Sequence, residues 1–535
     1  MSFVLEVILP SVSVKDDSFW SQAQPSTYVS SLTRRLNPCN LLSPVCRQIT
    51  SAVWVALIGS ALGMSIAFPA IALDAWTREG DVHLTDHQAG WFACVVQLIS
   101  IPGSVLGGYL TDQLGPRRLL MLLLPSLAVS WFALLPAIHY PTLLIAIRAV
   151  QGALVSACAV SVYVYPCEVS EAGRRGMLGT MAEAAYSLGY LLTYLLAAFF
   201  HWSTVVLLLP PCVFLPCIIA VTMVPESPAW LLRNNKVQEA KSVLQHVRPA
   251  ECNVEKELLS MQMGKTNDQE LNEVESSPGA LLMQPRFLLP VVASITLVIL
   301  KECTGQIVVV LLAVNIFRKV NLGVSPYWSS VFVASARLAA NLLCSLLLSY
   351  VPRRPILSIA SFVSGLAMVQ LANYFYTSES GLWPEWVPLM CLVLFVVAYG
   401  GGVGPVAFLI GTEMLPGAVR GIACGLSSAS VSTMQFVLTY VATKSDSQLH
   451  FFFYLFATGC LVLAGFTLLL PETQNKKLEE IEQFWSEVAH RLTQSGSWSR
   501  RGLTPGVAIK EEQINISGSD GHMGSSVMDY AVVNV

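Results

Sequence analysis

Long apolar runs separated by short charged loops set the pattern of this chain. A helix needs about 20 apolar residues to cross a bilayer, and twelve runs reach that scale. Six of them, Ile49–Leu73, Ala89–Thr111, Leu119–Ile138, Pro141–Val164, Met177–Phe199 and Trp202–Val224, precede a polar segment. Six more follow it: Phe287–Phe317, Tyr327–Val351, Pro355–Tyr376, Val387–Thr412, Gly421–Thr443 and Phe451–Leu470. The pattern predicts an all-α membrane protein of twelve transmembrane helices in two six-helix halves. Inside the polar segment, Asn234–Val247 and Val254–Met263 keep helical apolar spacing and read as short amphipathic helices, as does Leu478–Leu492 near the end. Residues 265–278 are poorer in apolar positions. The first 48 residues and the Ser/Gly-rich stretch from Ser495 onward read as tails without regular structure. The expected organisation is an N-terminal tail (1–48), a first half (49–224), a helical linker (225–286), a second half (287–471) and a C-terminal helix with its tail (472–535).

Short loops rich in Lys and Arg mark the cytosolic side. Loops after even-numbered runs carry Arg117-Arg118, Arg174-Arg175, Arg353-Arg354 and Arg420, together with the basic residues of the linker. Those after odd-numbered runs carry only Arg78, the Arg318-Lys319 pair and Lys444. With an even number of crossings, both termini are expected in the cytosol.

The two halves echo one another. Glu168 is followed seven residues later by Arg175-Gly176, and Glu413 by Arg420-Gly421; the two sets lie 245 residues apart. Pro225-Glu-Ser and Pro471-Glu-Thr are 246 apart, and the doublets Arg117-Arg118 and Arg353-Arg354 are 236 apart. A period this long is a duplicated half rather than a solenoid repeat. Tandem six-helix halves are one way transporters are built, with the substrate held between them at mid-membrane. The second copy is imperfect: aligned on the doublets, Leu348 faces Asp112 and Val351 faces Gly115. A slip of one residue substitutes Ser349 and Pro352.

Composition agrees. Hydrophobic residues make up 54% of the 535 and charged ones 12%, about half the usual soluble share. A net charge of −3 gives no support for nucleic-acid binding. Most of the 13 cysteines sit inside apolar runs, the number is odd, and no metal-ligand spacing appears, so neither a disulfide framework nor a metal is expected. No nucleophile–base pair or phosphate loop points to an enzyme or a cofactor.

Several motifs stand in a particular order. They are the Gly108–Arg118 loop with Asp112, Arg148 with Gly152, Tyr165-x-x-Glu168 to Arg175-Gly176, and Pro225-Glu-Ser-Pro-Ala-Trp230-Leu. Thr304-Gly305 ahead of Ile316-Phe317, Gly402-x-Gly404-Pro405, Glu413 to Arg420-Gly421, and Pro471-Glu-Thr with Leu478-Glu-Glu-Ile481 continue the series. In these residues, from about 50 to 485, the chain resembles the sugar porter family of the major facilitator superfamily, in particular its insect facilitated trehalose transporter-like members. The resemblance implies a multi-pass protein of the plasma membrane. It would move a small solute, a trehalose- or hexose-like sugar, by alternating access; it fixes no oligomeric state. It also implies a gate built from Asp112, Arg117, Arg118, Arg148, Glu168, Arg175, Arg353, Arg354, Glu413 and Arg420. Proton-coupled members carry an aspartate near a glycine pair on the first span. Gly63-Met64-Ser65 offers none, which favours facilitated movement.

Departures from the family pattern fall on its sugar-facing positions. The fifth-span glutamine is Glu183, the seventh-span Gln-Gln pair is Lys301-Glu302, and the asparagine two after Gly305 is Ile307. Leu311-Leu312 replaces an aromatic pair, Phe408 a tryptophan, and Val431-Ser432 an Asn-Trp pair. Burying a sugar's polar groups unpaired costs roughly 2–7 kcal/mol each, so the fold does not by itself settle the solute. Glu183, Lys301, Glu302 and Arg337 all lie within apolar runs, where an ionisable group faces a cavity or a partner. Neighbours on a helix point about 100° apart, so Lys301 and Glu302 are expected to diverge. One of them is expected to line the central cavity with Glu183, Thr304, Gly404 and Phe408. The competing reading is a buried ion pair, for instance Glu183 with Lys301, that locks the halves. Three functions stay open: a facilitated sugar carrier, a carrier of another, charged organic solute with or without proton coupling, and a non-transporting sensor on a transporter fold.

Overall fold

The computed structural model describes residues 44–248, 253–262, 285–311, 325–377, 384–415, 420–444 and 449–474, apart from single positions at 81, 172, 260 and 385, and scattered positions from 476 to 491. Residues 1–43, the tail from Ser495, the stretch 265–278 and the Arg318-Lys319 pair lie outside the described residues, whereas 44–48, expected in the N-terminal tail, are helical. All regular structure among the described residues is helical.

In the first half, α1 (Pro44–Ala56) runs into α2 (Gly59–Glu79) to make the first crossing. It is followed by α3 (Asp86–Leu114), α4 (Pro116–Phe132), α5 (Pro141–Val169), α6 (Arg175–Phe199) and α7 (Trp202–Met223). The linker contributes α8 (Pro228–Arg233) and α9 (Val237–Val247). The second half comprises α10 (Pro285–Glu302), α11 (Pro326–Leu347), α12 (Arg353–Thr377), α13 (Val387–Ala398), α14 (Gly404–Glu413), α15 (Arg420–Lys444) and α16 (Leu449–Thr467). Each of the twelve apolar runs is helical where it is described, and nine helices among the described residues are long and apolar enough to cross a membrane. Described residues up to 488 belong to one compact unit.

Two of the interruptions within these runs bear on the site. The seventh stops at Glu302, turns, and resumes as a helix over 306–311. Gly305 makes the break: its φ is +79°, and a Cβ there would stand 2.3 Å from the Phe456 ring. Thr304 Oγ1 donates to the Lys301 carbonyl at 2.7 Å, tying off the broken end. The tenth run carries one wide π-turn, Tyr399–Val403, between α13 and α14. Such turns mark functional positions in many helices, and here the turn falls on three consecutive glycines.

Within each half, α3 packs on α5, α2 on α6, and α12 on α16; across the halves, α6 lies along α11 and α3 along α15. Phe68, Phe92 and Trp131 fill the first half's core, with Phe68 and Trp131 edge-on at 5.1 Å. Large apolar side chains such as Leu122, Val129, Phe362 and Leu469 are exposed on the perimeter, the arrangement a lipid solvent requires.

Gly305→Ala is expected to lower the thermal midpoint of detergent-solubilised protein by the equivalent of about 1–3 kcal/mol. Gly425→Ala, where an added Cβ meets nothing within 4 Å, serves as the control. Equal midpoints for the two variants would remove the conformational requirement at Gly305.

Candidate functional site

The motifs gather at the end of the bundle where α3 meets α4 and α5 ends. Gly115 holds φ +89° and ψ 145° between α3 and α4, a region almost closed to other residues. A Cβ there would stand 3.0–3.1 Å from the Glu226 carboxylate. Glu226 Oε1 accepts from the Arg117 backbone N–H at 3.1 Å. Burial pushes its carboxyl above the usual range, while that N–H, the one from Ser227 and the Arg117 and Arg118 charges pull the other way. Ser227 caps α8 by accepting from Trp230 N–H at 3.2 Å, and its hydroxyl donates to Glu168. Trp230 in turn donates to the Asp112 carbonyl at 2.9 Å.

Arg233, in the last turn of α8, joins the two acidic residues: it reaches Asp112 Oδ1 at 2.9 Å and Glu168 Oε1 at 2.8 Å. The doublet named in the sequence does other work. Arg117 donates to the Val221 and Thr222 carbonyls, and Arg118 lies over the Trp230 ring at 5.4 Å. Arg233 was missed because it stands outside the repeated motifs, though its place just after Trp230-Leu was a usable signal.

The second half repeats the frame. Glu472 accepts from the backbone N–H groups of Arg353 and Arg354 at 3.2 and 3.1 Å. Arg354 Nε donates to the Thr467 carbonyl at 3.2 Å, as Arg117 Nε does to Val221 at 3.1 Å. Arg354 therefore matches Arg117, 237 residues on, and the slipped alignment holds, with Ser349 at Asp112 and Pro352 at Gly115. Arg353 is left without an arginine counterpart. It forms an ion pair with Glu413, donates to Thr473 Oγ1 at 3.1 Å, and stands against Gly176 of the first half, where a Cβ would lie 3.0 Å from its Nη2. Arg175 lies within electrostatic reach of Arg353. The Arg420 side chain is outside the described set.

Arg148 does not join this cluster. It precedes Glu168 by twenty residues on α5, about 30 Å at 1.5 Å per residue. There it is fully buried in the first half, donating to Gln151 Oε1 at 2.9 Å and the Ser65 carbonyl at 2.8 Å and lying 5.4 Å over the Phe92 ring. Its geometry ties α2 and α3 to α5 rather than one half to the other.

Between the halves at mid-bundle lie Glu183, Lys301, Glu302 and Arg337. Glu183, on α6, accepts from Tyr163 O–H at 3.1 Å, and its other oxygen is 4.0 Å from Arg337 Nη2 on α11. Arg337 is sandwiched near two rings, Tyr190 at 4.8 Å and Tyr399 at 5.1 Å. Its Nε and Nη1 are buried without a hydrogen-bond acceptor. Lys301 and Glu302 do not diverge: Lys301 Nζ meets Glu302 Oε1 at 3.0 Å. The long lysine stem can fold along the helix end that Gly305 creates. Gln435 on α15 donates to the second Glu302 oxygen at 3.1 Å. Asn341 donates to Ser187 Oγ at 2.8 Å, Thr180 to Ser345 at 3.0 Å, and Tyr194 to the Val310 carbonyl at 2.8 Å, each joining the halves. Phe408 faces Tyr163 with ring centroids 4.4 Å apart, and a Cβ on Gly404 would stand 2.9 Å from the Tyr399 ring. Thr304 is spent on the helix break. Among the departures, Ile307 and Leu311 are buried and apolar.

The arrangement is electroneutral, with two carboxylates and two cations, but asymmetric. Lys301 and Glu302 are adjacent and well paired, whereas Glu183 and Arg337 sit on opposite halves at a separation too long for a hydrogen bond. Tyr163, Tyr190 and Tyr399 could not be singled out in the sequence, because an aromatic in an apolar run looks like packing.

Residues 27–485 match the family model described as "Sugar (and other) transporter". Among relatives, the chain is similar to the facilitated trehalose transporter Tret1 of Anopheles gambiae and of Culex quinquefasciatus. Each is 27% identical over 452 residues, or 82% of this chain. The chain spans 56% of the length of the Anopheles relative and 85% of the Culex one. Among solved structures, it is similar to the proton:xylose symporter XylE bound to 6-bromo-6-deoxy-D-glucose. That match has a TM-score of 0.70 at 21% identity and covers 82% of this chain and 100% of that one. A partially occluded inward-open form of XylE from E. coli matches with a TM-score of 0.64 at 19% identity, covering 80% and 99%. At these identities the structural likeness establishes the major facilitator fold.

Removing one partner of a buried ion pair costs about 3–5 kcal/mol, whereas removing both is far better tolerated. Lys301→Met alone is therefore expected to reduce cell-surface protein sharply, and the Lys301→Met/Glu302→Gln double variant to recover it. Surface biotinylation measures both; a double variant no better than the single would mean that the pair is not the source of the loss.

Proposed function

The chain belongs to the sugar (and other) transporter family, and we propose that it carries a neutral, sugar-like solute down its gradient by alternating access of its two halves. The observation that carries this reading is the loose Glu183–Arg337 couple. A guanidinium with two buried N–H positions lacking acceptors faces a carboxylate across the junction between the halves. A polyhydroxyl solute suits such a couple, because each of its hydroxyls can accept from the cation and donate to the anion. The lost amides are thereby replaced by charge-assisted hydrogen bonds, which are shorter and about twice as strong. Electroneutrality of the four charges favours an uncharged solute over an anion or a cation. In this reading Glu183 and Phe408, with Arg337 and Tyr163 added to the set, surround the solute, and the Lys301–Glu302 pair, Thr304 and Gly404 shape the wall behind them.

The motif end is assigned to the cytosol on the strength of its arginine-rich loops, and the plasma membrane is the proposed location. Asp112, Glu168, Arg175 and Arg233 from the first half and the linker, with Arg353 and Glu413 from the second half, form the gate there. The half-exposed Arg233 pairs are worth only about 0–1 kcal/mol each, so that side of the gate reopens readily, while the buried Arg353–Glu413 pair holds within the second half. Facilitated movement rather than proton coupling is supported at Arg148. Its acceptors are the Ser65 carbonyl and Gln151, neither of which titrates. Family membership speaks for a transporter and against an enzyme.

Uptake of labelled trehalose and glucose into cells expressing the chain tests the substrate. The expected outcome is saturable uptake, indifferent to external pH and uncoupler, that falls at least about tenfold in Arg337→Met and Glu183→Gln. Surface-expressed protein that moves neither sugar would overturn the sugar assignment, and accumulation above the external concentration would overturn uniport. For the gate, Arg233→Ala is expected to lower the maximal rate several-fold with little change in KM. A change confined to KM would place Arg233 outside the gating step.

A further inference from the structure

At the end of the bundle opposite the motifs, the halves meet again through groups that no repeated motif contains. Asp74, one turn before the end of α2, is buried to within 5% of full enclosure. Its Oδ2 accepts from the hydroxyl of Tyr327, at the start of α11, at 2.6 Å, and from Arg78 at 3.0 Å. Arg78 closes the triangle, donating to the same Tyr327 oxygen at 2.8 Å while its guanidinium lies 5.5 Å over the tyrosine ring. Asp74 and Arg78 belong to the first half and Tyr327 to the second. Near them, among the described residues, the halves meet through rings, Phe199 with Trp328 at 5.2 Å and Trp91 with Phe436 and Tyr440 at 6.4 and 6.2 Å, and through the Tyr194 hydroxyl on the Val310 carbonyl. Ring contacts slide at small cost, whereas a charge-assisted hydrogen bond to a buried carboxylate is directional and is lost when the halves separate.

A cavity of about 330 Å³ lies beside the triangle, lined by Ile71, Ala75, Arg78, Phe199, His201 and Tyr327 among others. Its wall includes both members of a second polar contact, His201 with Glu79 at 2.7 Å, which joins α2 to the residue capping α7 inside the first half. That pair steadies one wall; the Asp74–Tyr327 bond is what spans the gap between walls.

We propose that Asp74, Arg78 and Tyr327 form the latch that closes the non-motif end of the transporter, made in the state whose central site is shut from that side and broken when it opens. The inference rests on the alternating-access reading but not on which solute is carried. Tyr327 is the key member. Its hydroxyl is the group through which the second half enters the triangle, and its ring can remain in place without it. Asp74 supplies a carboxylate already desolvated in the closed state, so the hydroxyl does not compete with water while the latch is shut. The triangle also explains a polar residue deep in the last turns of an otherwise apolar crossing: Asp74 is kept there for a partner on the other half.

The test is thiol accessibility at the cavity wall. Ala75, 5% exposed, is replaced by cysteine and labelled with a maleimide in permeabilised cells, so that the reagent reaches either face. The chain without Ala75→Cys gives the background from native cysteines, and only protein that has reached the cell surface is scored. Tyr327→Phe is expected to raise the labelling rate by at least about tenfold, in line with the loss of a hydrogen bond to a charged group. Asp74→Asn is expected to do the same. The combined variant should exceed the larger single by less than about twofold, because both weaken the same Asp74–Tyr327 contact, one by removing the carboxylate's charge and the other by removing the hydroxyl. Unchanged labelling in Tyr327→Phe would overturn the latch even if Asp74→Asn failed to mature. Additive single effects would overturn it as well, since they would show two unrelated contacts. Sugar uptake by the parent chain, measured separately, reports on the solute and is not moved by either outcome.

Discussion

A charge at mid-membrane must be matched within a few ångströms, because lipid offers it no water. That constraint organises the centre of this protein. Four ionisable side chains stand there, and they arrange themselves as one tight pair and one loose one. Lys301 and Glu302 form a close ion pair at the end of a broken helix, and Gln435 donates to the other Glu302 oxygen. Glu183 and Arg337 are kept apart on separate halves, each held by tyrosines. A tight pair inside one half fixes structure. A loose pair between halves can change when the halves move, and can be completed by a solute. The distinction separates the scaffold from the working part of the site.

The same economy appears at the two ends. At the motif end, Glu226 and Glu472 each bind backbone N–H groups at the start of a helix, an anion placed where a helix terminus favours it. These bonds are internal to their halves and have no reason to break in a rigid-body rocking motion. The groups between the halves are different in kind: Arg353 beside Gly176 at one end, Tyr327 on Asp74 at the other. Alternating access needs contacts of the second kind at both ends, and needs each set to be small enough to be exchanged for the other.

How far the sequence carries the argument depends on whether a feature repeats. The twelve crossings follow from apolar run length alone, and the two halves from the paired spacing of Glu168–Arg175 and Glu413–Arg420. The helix break was hidden: an unbroken apolar run from Phe287 conceals the turn at Gly305, and only the backbone angle exposes it. Register in the second copy was undecided between two alignments. The carbonyl partners of Arg117 and Arg354 decide it, because a bond to a fixed backbone acceptor marks position more sharply than residue identity does. Arg148 shows the opposite failure, since a motif arginine looked like a gate member although helix rise alone put it about 30 Å from Glu168.

Lys301 and Glu302 teach a narrower point. Adjacent residues on a regular helix diverge, and that rule separated them on paper. The rule governs Cβ directions, not the tips of long side chains, and it weakens at a helix end where the following turn no longer walls off the space. Arg337 is constrained the other way. Its guanidinium is flanked by two tyrosine rings and backed by its own helix, so little of its position is adjustable. Glu183 is fixed by Tyr163 in the same manner. The gap between them is therefore set by how the halves dock. A solute that bridges it binds best at one docking distance, and binding energy is thereby coupled to the motion that carries the solute across.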